Sequence, residues 1–247
     1  MKKAGMTVAV QKDKWEQYGV LRAGPPLDAR LPETRLLEKD ALSSMLQRHP
    51  SVVLKPRDGS FGTNIIFIQR TETGAYRMQH ENNAITMSGT DKVLEWLWIE
   101  SKGRGYIVQE RIPLARIGRR PFDIRVMVQR QKAASSPWTV TGSYAKAATK
   151  GYLVTNVASR PLPLLRALKS ARIEDRSLPA KIARAALEAA ERLGERYPDL
   201  RQVGFDIGID RERRIWIIEG NYQPALRPFR LLKDSTMLRR IHWYRNH

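Results

Sequence analysis

The chain has 247 residues and a formal net charge of +19, from 44 lysines and arginines against 25 aspartates and glutamates. Its 42% content of hydrophobic residues is that of a folded globular protein, which excludes a disordered or fibrous chain. It has no cysteine, which excludes disulfides, thiolate nucleophiles and zinc–sulfur sites, and its four histidines are not spaced as metal ligands. Any bound metal is therefore expected to have oxygen ligands.

The positive charge attracts polyanions. Nucleic acid, acidic peptide and nucleotide all fit it, as does a plain solvated surface. The cations do not alternate with aromatic residues, as they would in an RNA-binding sheet, so we expect no nucleic-acid partner. The longest apolar runs are far shorter than the roughly 20 residues that cross a bilayer, and the apolar stretch near Met1 is short for a signal peptide. We expect no membrane partner and a cytoplasmic protein.

The N-terminal part of the chain predicts helices followed by a β-hairpin. Gly24-Pro25-Pro26 ends the first helix and Pro50 ends the second, whose apolar residues share one face. Apolar strands on both sides of a glycine-rich turn predict the hairpin. The predicted elements are a short helix at 13–18, a helix at about 38–48, strands at 52–55 and 64–69, a short strand at 76–79 and a helix at 92–101.

The C-terminal part predicts several strands and one long helix. The helix is dense in Ala, Leu, Glu and Arg, which favour helix, and its apolar residues recur on one face. The predicted elements are strands at 106–109, 123–130, 138–145, 203–209 and 215–219 and a helix at 179–197. Antiparallel sheets with covering helices predict an α+β protein.

Lys55 ends an apolar strand and is followed by the glycine-rich turn. Glycine allows a tight turn and close approach of backbone N–H groups to an anion, and the lysine supplies the countercharge. Nucleotide phosphate is the ligand that this pattern predicts, although it is not a Walker A loop. A plain hairpin is the alternative interpretation. The turn residues are Gly59, Ser60, Phe61, Gly62, Thr63 and Asn64.

Two acids, Asp206 and Glu219, lie inside apolar strands that we expect to pair. Antiparallel neighbours are about 4.8 Å apart, so carboxylates on the same face lie close together. With the amide oxygen of Asn221 they form a ligand set that suits Mg²⁺ beside phosphate. The alternative is a surface hairpin with unpaired acids, but acids inside apolar strands are costly unless compensated, which favours a metal.

The segment 106–113 predicts a strand that ends at a proline. A strand end exposes backbone N–H and C=O groups that can meet the edge of adenine, and a carboxylate further along, Asp123, can hold ribose hydroxyls. The alternative interpretation is an edge strand with a proline stop.

Together these patterns, in this order, resemble the ATP-grasp superfamily. The chain looks closest to the YheC/YheD group of endospore coat-associated proteins, and next to the RimK-like carboxylate–amine ligases. The resemblance covers roughly residues 13–229 and implies an ATP-grasp fold, in which two lobes with mainly antiparallel sheets clamp ATP and Mg²⁺ between them. The segments that carry it are 31–37, 54–56, 59–62, 108–110, 122–126, 155–157, 204–210 and 219–221.

The resemblance implies a role for each site residue. Lys14 and Lys55 contact the ATP phosphates beneath the glycine-rich turn. The other implied roles are adenine contact by Gln109, Glu110 and Ile112, ribose contact by Asp123, Mg²⁺ binding by Asp206, Glu219 and Asn221, γ-phosphate contact by Lys146, and a place at the reacting end for Arg125 and Asn156.

The resemblance also implies an ATP-dependent carboxylate–amine ligase. A substrate carboxylate attacks the γ-phosphate, and an amine then captures the acyl phosphate, which leaves ADP and phosphate. Such an enzyme works by positioning and charge neutralisation, so it needs no cysteine nucleophile. The basic charge predicts an acidic carboxylate substrate, such as a peptide, and an amine acceptor. The alternatives are a spore coat-associated structural protein with little or no turnover and, with less support, a nucleic-acid-binding module.

The chain departs from the family pattern in three places. Gly220 replaces an aliphatic residue, Tyr222-Gln223-Pro224 replaces a small-residue turn, and no glycine pair follows Asn156. The predicted division is an N-terminal remnant at 1–34 that carries Lys14, a small lobe at 35–110 with the glycine-rich hairpin, and a large lobe at 111–247 with the metal site. Because almost no N-terminal domain precedes the lobes, we expect a homodimer contact, a partner chain or a macromolecular substrate to take its place.

Overall fold

The computed structural model describes residues 13–59, 63–80, 83–101, 103–133, 135–149 and 160–247. In that part of the chain, helices cover two antiparallel sheets, which confirms the predicted α+β class. No helix in it is long and apolar enough to cross a membrane. Four of the predicted site residues, Ser60, Phe61, Gly62 and Asn156, lie outside the described residues.

The helices are α1 (Lys14–Arg22), α2 (Lys39–Arg48), α3 (Thr90–Ser101), α4 (Leu164–Ser170), α5 (Leu178–Arg196), α6 (Arg227–Arg230) and α7 (Thr236–Asn246). The strands are β1 (Thr34–Leu36), β2 (Ser51–Pro56), β3 (Ile66–Arg70), β4 (Tyr76–His80), β5 (Asn83–Met87), β6 (Tyr106–Glu110), β7 (Arg116–Ile117), β8 (Arg120–Gln129), β9 (Thr139–Ala147), β10 (Gln202–Ile209) and β11 (Ile215–Asn221).

The first sheet has the strand order β1-β6-β2-β3-β4-β5, with every neighbouring pair antiparallel. Helices α2 and α3 cover one face of it. The residues of α2 that the sequence places on one face, Leu42, Met45 and Leu46, are buried there against strands β2, β3 and β6. Strand β6 lies between β1 and β2, so the alternative interpretation of residues 106–109 as an edge strand is wrong.

The second sheet has β10 between β11 and β8, and β9 pairs with the other edge of β8. Alternation along these strands sends one set of side chains, such as Ile124, Phe205 and Ile207, into a core covered by α5. The other set, such as Arg125 and Asp206, points to the opposite face. Part of that face is covered by α6 and α7 around Phe229, and the rest is open to a cavity.

Helix α1 joins the two sheets. Asp13 caps it by accepting a hydrogen bond from the Trp15 N–H at 2.8 Å. The helix packs against α5, and Leu21 at its end is buried in the core of the second sheet. The Lys14 N–H also bonds the Arg57 carbonyl oxygen at 3.0 Å, beside the turn that follows β2. Helix α1 therefore contacts elements on the side of each sheet.

Candidate active site

A cavity of 380 Å³ lies between the two sheets. It is lined by every predicted site residue that the structure describes: Lys14, Lys55, Gly59, Gln109, Glu110, Ile112, Asp123, Arg125, Lys146, Asp206, Glu219 and Asn221. These residues are as far apart in sequence as Lys14 and Asn221. The fold brings them to one cavity, which the resemblance to ATP-grasp proteins implied for the whole set.

The acidic wall is built on the hairpin of β10 and β11. Asp206 lies directly opposite Glu219 in the register, as the sequence predicts. A bulge follows this pair, because Ile207 pairs with Ile217. The bulge lets Ile217 face the α5 core while Glu219 and Asn221 line the cavity.

Asp206 is not a free acid. The Arg125 guanidinium binds both of its oxygens, with Nε–Oδ1 at 2.7 Å and Nη2–Oδ2 at 3.0 Å, and Lys146 Nζ lies 2.8 Å from Oδ1. Burial alone would raise the pKa of Asp206, but the charges of Arg125 and Lys146 outweigh it and hold the pKa far below its usual range. Asp206 is therefore paired and largely buried, so the alternative of an unpaired surface acid is wrong for it.

Lys146 bridges two acids on this wall. Its Nζ lies 3.2 Å from Asp123 Oδ1 as well as near Asp206. Burial lowers the pKa of the Lys146 ammonium, but the charges of Asp123 and Asp206 raise it above its usual value overall. The ammonium is consequently fixed in its charged form at the centre of the cavity wall.

The Arg125 side chain passes over Gly204, which has no side chain, to reach Asp206. A Cβ at Gly204 would lie 3.1 Å from Arg125 Cδ and 2.7 Å from Pro224 Cβ. The glycine that precedes Phe205-Asp206 therefore makes room for the arginine to lie flat on the sheet.

The basic wall is built on β2 and α1. Lys55 is only 6% exposed, and its Nζ donates to Gln109 Oε1 at 2.7 Å. Burial lowers the pKa of Lys55, with the charge of Lys14 acting in the same direction and that of Glu219 opposing it. The Lys14 Nζ donates to the Gly59 carbonyl oxygen and lies 3.8 Å from Glu219 Oε1. Two lysines thus face the acidic wall across the cavity.

One end of the cavity is more apolar. Phe67, Ile112 and Leu114 line it, beside the end of β6. The Gln109 side chain is fixed here between Lys55 and Thr34, whose Oγ1 accepts from Gln109 Nε2 at 2.9 Å. A flat apolar space at the end of a strand is suited to a nucleobase.

The site includes residues that the sequence did not single out. Gln17 lies one helical turn after Lys14, and Tyr144 lies two strand residues before Lys146, so both share a face with a predicted residue. Helix and strand periodicity would have found both once their partners were assigned.

The oxygen donors fit magnesium in kind. Two carboxylates and an amide on adjacent strands are hard oxygen ligands of the type that Mg²⁺ prefers. In the described residues, however, no group of three or more His, Cys, Asp or Glu side chains could hold a metal by itself. Both carboxylate oxygens of Asp206 also accept hydrogen bonds from Arg125 and Lys146. A cation at this wall would therefore have to displace some of these bonds.

Two antiparallel sheets enclose a cavity with lysines on one wall and carboxylates on the other, and the fold is ATP-grasp. The chain belongs to the YheC/D-like ATP-grasp family, whose model matches residues 9–244. This confirms the resemblance drawn from the sequence.

Among its relatives are two endospore coat-associated proteins of Bacillus subtilis (strain 168). YheD is 24% identical over 221 residues, which cover 86% of this chain and 48% of YheD. YheC is 23% identical over 225 residues, which cover 86% of this chain and 60% of YheC. The chain therefore spans about half the length of the curated relatives it matches.

The fold is also similar to solved structures of lower identity. A biotin carboxylase–β,γ-ATP complex from Campylobacter jejuni superposes with a TM-score of 0.57 at 13% identity, over 96% of this chain and 46% of that one. This similarity establishes the shared fold.

Proposed function

We propose that the protein binds Mg-ATP in the cavity and joins a carboxylate to an amine through an acyl phosphate. Residues 35–110 and 111–247 act as the two lobes that clamp the nucleotide. The observation that carries the proposal is the placement of two lysines opposite a row of acids across one cavity of 380 Å³. The fold shared with a carboxylase–ATP complex supports the nucleotide.

Lys55 supports phosphate binding through its present environment. It is buried, it donates a hydrogen bond to the neutral amide of Gln109, and its pKa is lowered, so the ammonium lacks full charge compensation. A phosphate oxygen beside it would supply that charge and raise the pKa again. Lys14 would bind a second phosphate oxygen with the ammonium group that now donates to the Gly59 carbonyl oxygen.

Glu219 and Asn221, with Asp206, would hold the magnesium ion, which would neutralise charge on the phosphates. Arg125 and Lys146 lie beside Asp206, which supports a role for them in binding the phosphoryl oxygens or the substrate carboxylate. The carboxylate oxygen then bonds to the γ-phosphorus as the bond to ADP breaks. In the second step the amine nitrogen bonds to the acyl carbon as the bond from that carbon to the phosphate oxygen breaks, so phosphate leaves and the amine proton passes to solvent.

An acidic carboxylate substrate, such as a peptide, is supported by the charge beside the cavity. Pro228 lines the cavity and belongs to α6, which packs against α7. The exposed cations of this C-terminal segment, called here the α6–α7 basic surface, are Arg227, Arg230, Lys233, Arg239, Arg240 and Arg245. Within the described residues none of them forms an ion pair with an acid, so their charge remains available to a polyanion.

Analysis of the spent nucleotide tests the reaction. The protein is incubated with Mg-ATP and a metabolite extract, and the nucleotides are separated by chromatography. We expect ADP and phosphate together with a product heavier than the carboxylate substrate. AMP and pyrophosphate would indicate adenylation and would refute the acyl-phosphate mechanism.

A second candidate function is a spore coat-associated structural protein that keeps the fold with little or no turnover. It is supported by the names of YheD and YheC, both described as endospore coat-associated, and by the occupation of both Asp206 oxygens by cationic side chains. Binding of ATP without any nucleotide turnover, in the extract or with added acidic peptides, would favour this candidate over the ligase.

A further inference from the structure

Gln17 on α1 binds the backbone of the acidic wall. Its Nε2 donates to the Gly220 carbonyl oxygen at 2.8 Å, and its Oε1 accepts from the Gly220 N–H at 2.8 Å. Among the strands that the structure describes, β11 lies at the edge of its sheet, so these outward-facing backbone groups have no partner on a described strand. The Gln17 amide takes the place of such a partner with the same pair of bonds that a strand would make. The side chain is buried, with the residue 7% exposed.

Gly220 lies between Glu219 and Asn221, both of which line the cavity. A Cβ at Gly220 would lie 3.1 Å from Gln17 Nε2 and 3.2 Å from Phe205 Cε1, which is closer than a side chain normally packs. The absence of a side chain at this position therefore lets the Gln17 amide reach the strand. This contact gives a structural reason for the glycine where the family pattern has an aliphatic residue.

Gln17 and Lys14 share one face of α1, because they are three residues apart in a helix. Lys14 holds the Gly59 carbonyl on the side of the first sheet, and Gln17 holds Gly220 on the side of the second. The helix is itself anchored at the end of α5, where the hydroxyl of Tyr197, the residue after that helix, donates to Glu16 Oε1 at 2.8 Å. One helix therefore fixes a phosphate-facing lysine and the carboxylate-bearing strand relative to each other.

We infer that Gln17 is a positioning residue for the divalent cation that accompanies the nucleotide. By bonding both the N–H and the C=O of Gly220, it fixes the directions in which the neighbouring side chains of Glu219 and Asn221 project. The inference rests on the proposed function, because it concerns the cation of Mg-ATP. Groups that orient metal ligands typically change metal affinity by 10–100-fold when removed.

The test compares two glutamine-to-methionine variants. Gln17→Met keeps the length of the side chain and removes both hydrogen bonds to Gly220. Gln129→Met is the matched control, because Gln129 is 1% exposed, donates to the Ile241 carbonyl at 3.2 Å and accepts from Thr141 Oγ1 at 2.6 Å, and does not line the cavity. Both variants lose two buried hydrogen bonds to groups of the segment 111–247.

Two quantities are measured. The first is the melting temperature without ligand, and the second is the Mg²⁺ concentration at which the effect of Mg²⁺ on ATP affinity is half-maximal. We expect both variants to melt below the wild type, whereas only Gln17→Met should raise the half-maximal Mg²⁺ concentration, by about 10-fold. In the control Gln129→Met, ATP affinity without metal should be unchanged. If Gln17→Met does not fold, Gln17→Asn, which keeps an amide but is too short to reach Gly220, is measured instead.

A Mg²⁺ requirement in Gln17→Met that matches the wild type and Gln129→Met would overturn the inference while leaving the proposed function intact. A wild-type protein whose ATP binding does not depend on Mg²⁺ would overturn the proposed function, and the inference with it.

Discussion

At the scale of single residues, the acidic wall combines carboxylates with cationic side chains that lie beside them. Asp206 forms close ion pairs with Arg125 and Lys146. Glu219, directly opposite in the register, lies 3.8 Å from Lys14 Nζ and also interacts with the charge of Lys55. The side chain of Glu219 is 25% exposed, which leaves it open to the cavity. Glu219 is therefore the acid on which a cation would depend most.

The substitution Glu219→Gln tests this role. It keeps the shape of the side chain but removes one negative charge, so we expect turnover to fall by at least about 100-fold. The free energy of unfolding should stay within about 0.5 kcal/mol of the wild type. ATP without metal should bind no worse, because a repulsive charge has gone.

Glu212→Gln is the matched control, since Glu212 is an exposed glutamate in the turn of the same hairpin. Measurement of ADP release and melting temperature for both variants separates the two positions. Wild-type turnover in Glu219→Gln would contradict the metal assignment.

Asp210 is a buried acid of the same hairpin, and unlike Glu219 it stabilises the hairpin through hydrogen bonds. Its carboxylate accepts from the backbone N–H groups of Glu212 and Arg214 at 2.9 Å each, from Arg214 Nε at 2.7 Å and from Trp216 Nε1 at 2.9 Å. Burial would raise the pKa of Asp210, but these hydrogen bonds, from Trp216 and Arg214 first, lower it below its ordinary value of 3.8.

The substitution Asp210→Asn should destabilise the protein by about 1–3 kcal/mol at neutral pH, because an amide cannot accept all of these bonds. A carboxyl whose pKa is lower in the folded state contributes stability above its unfolded pKa and loses it as the pH falls through the folded one. The deficit of Asp210→Asn should therefore shrink below pH 3.8. Denaturant titrations from pH 7 to pH 2 measure it, and a deficit that grows with acid would contradict this assignment.

At the scale of elements, the close approach of β10 to its neighbours depends on Gly204. A Cβ there would meet Pro224 Cβ at 2.7 Å and Arg125 Cδ at 3.1 Å. We expect Gly204→Ala to destabilise by about 1–3 kcal/mol and to weaken ATP binding, because Arg125 must move off Asp206.

Gly19→Ala provides the control, because a Cβ at this exposed position in α1 would meet nothing within 4 Å. That variant should gain about 0.5–1 kcal/mol from reduced backbone freedom in the unfolded chain. Chemical denaturation of both variants gives the comparison. An equal effect of the two alanines would show that Gly204 is not constrained by its neighbours.

The elements that the sequence predicts are those in which apolar residues recur at the spacing of a helix or a strand. The predicted helix at 179–197 appears as Leu178–Arg196, and its inner residues, Ile182, Ala186 and Leu193 among them, are buried. Helix α7 and strand β5 were not predicted. In α7 only Ile241 is buried among many cations, and every described residue of β5 is at least partly exposed, so neither has the alternation on which such predictions depend.

At the scale of the whole molecule, the pairing of Arg125 with Asp206 shows what the sequence could not predict. The two residues are 81 positions apart, and their contact depends on the register between β8 and β10, where Asp206 pairs with Arg125. Periodicity places each side chain on one face of its strand. Only the order of strands in the sheet decides which side chains become neighbours.

Part of the positive charge of the molecule lies on the α6–α7 basic surface. We expect the α6–α7 basic surface to bind poly-glutamate, and the double substitution Arg227→Glu with Arg230→Glu to weaken that binding by at least 10-fold at low salt, since each exposed charge acts through a screened field.

Arg70→Glu with Arg77→Glu makes the same change of charge at exposed positions of the first sheet and should have less effect. Fluorescence anisotropy at two salt concentrations measures all three proteins. Equal weakening by the two double variants, or tighter binding of RNA than of poly-glutamate, would contradict an acidic-peptide surface at α6–α7.

The central claim is that Mg-ATP binds between the two walls of the cavity, and thermal unfolding of the wild-type protein tests it most directly. A ligand that binds only the folded state stabilises it by about 2.7 kcal/mol at a concentration 100 times its Kd. We predict that millimolar ATP raises the melting temperature, that Mg²⁺ increases this shift, and that Lys55→Met abolishes it. An unchanged melting temperature with ATP, both with and without Mg²⁺, would contradict the account.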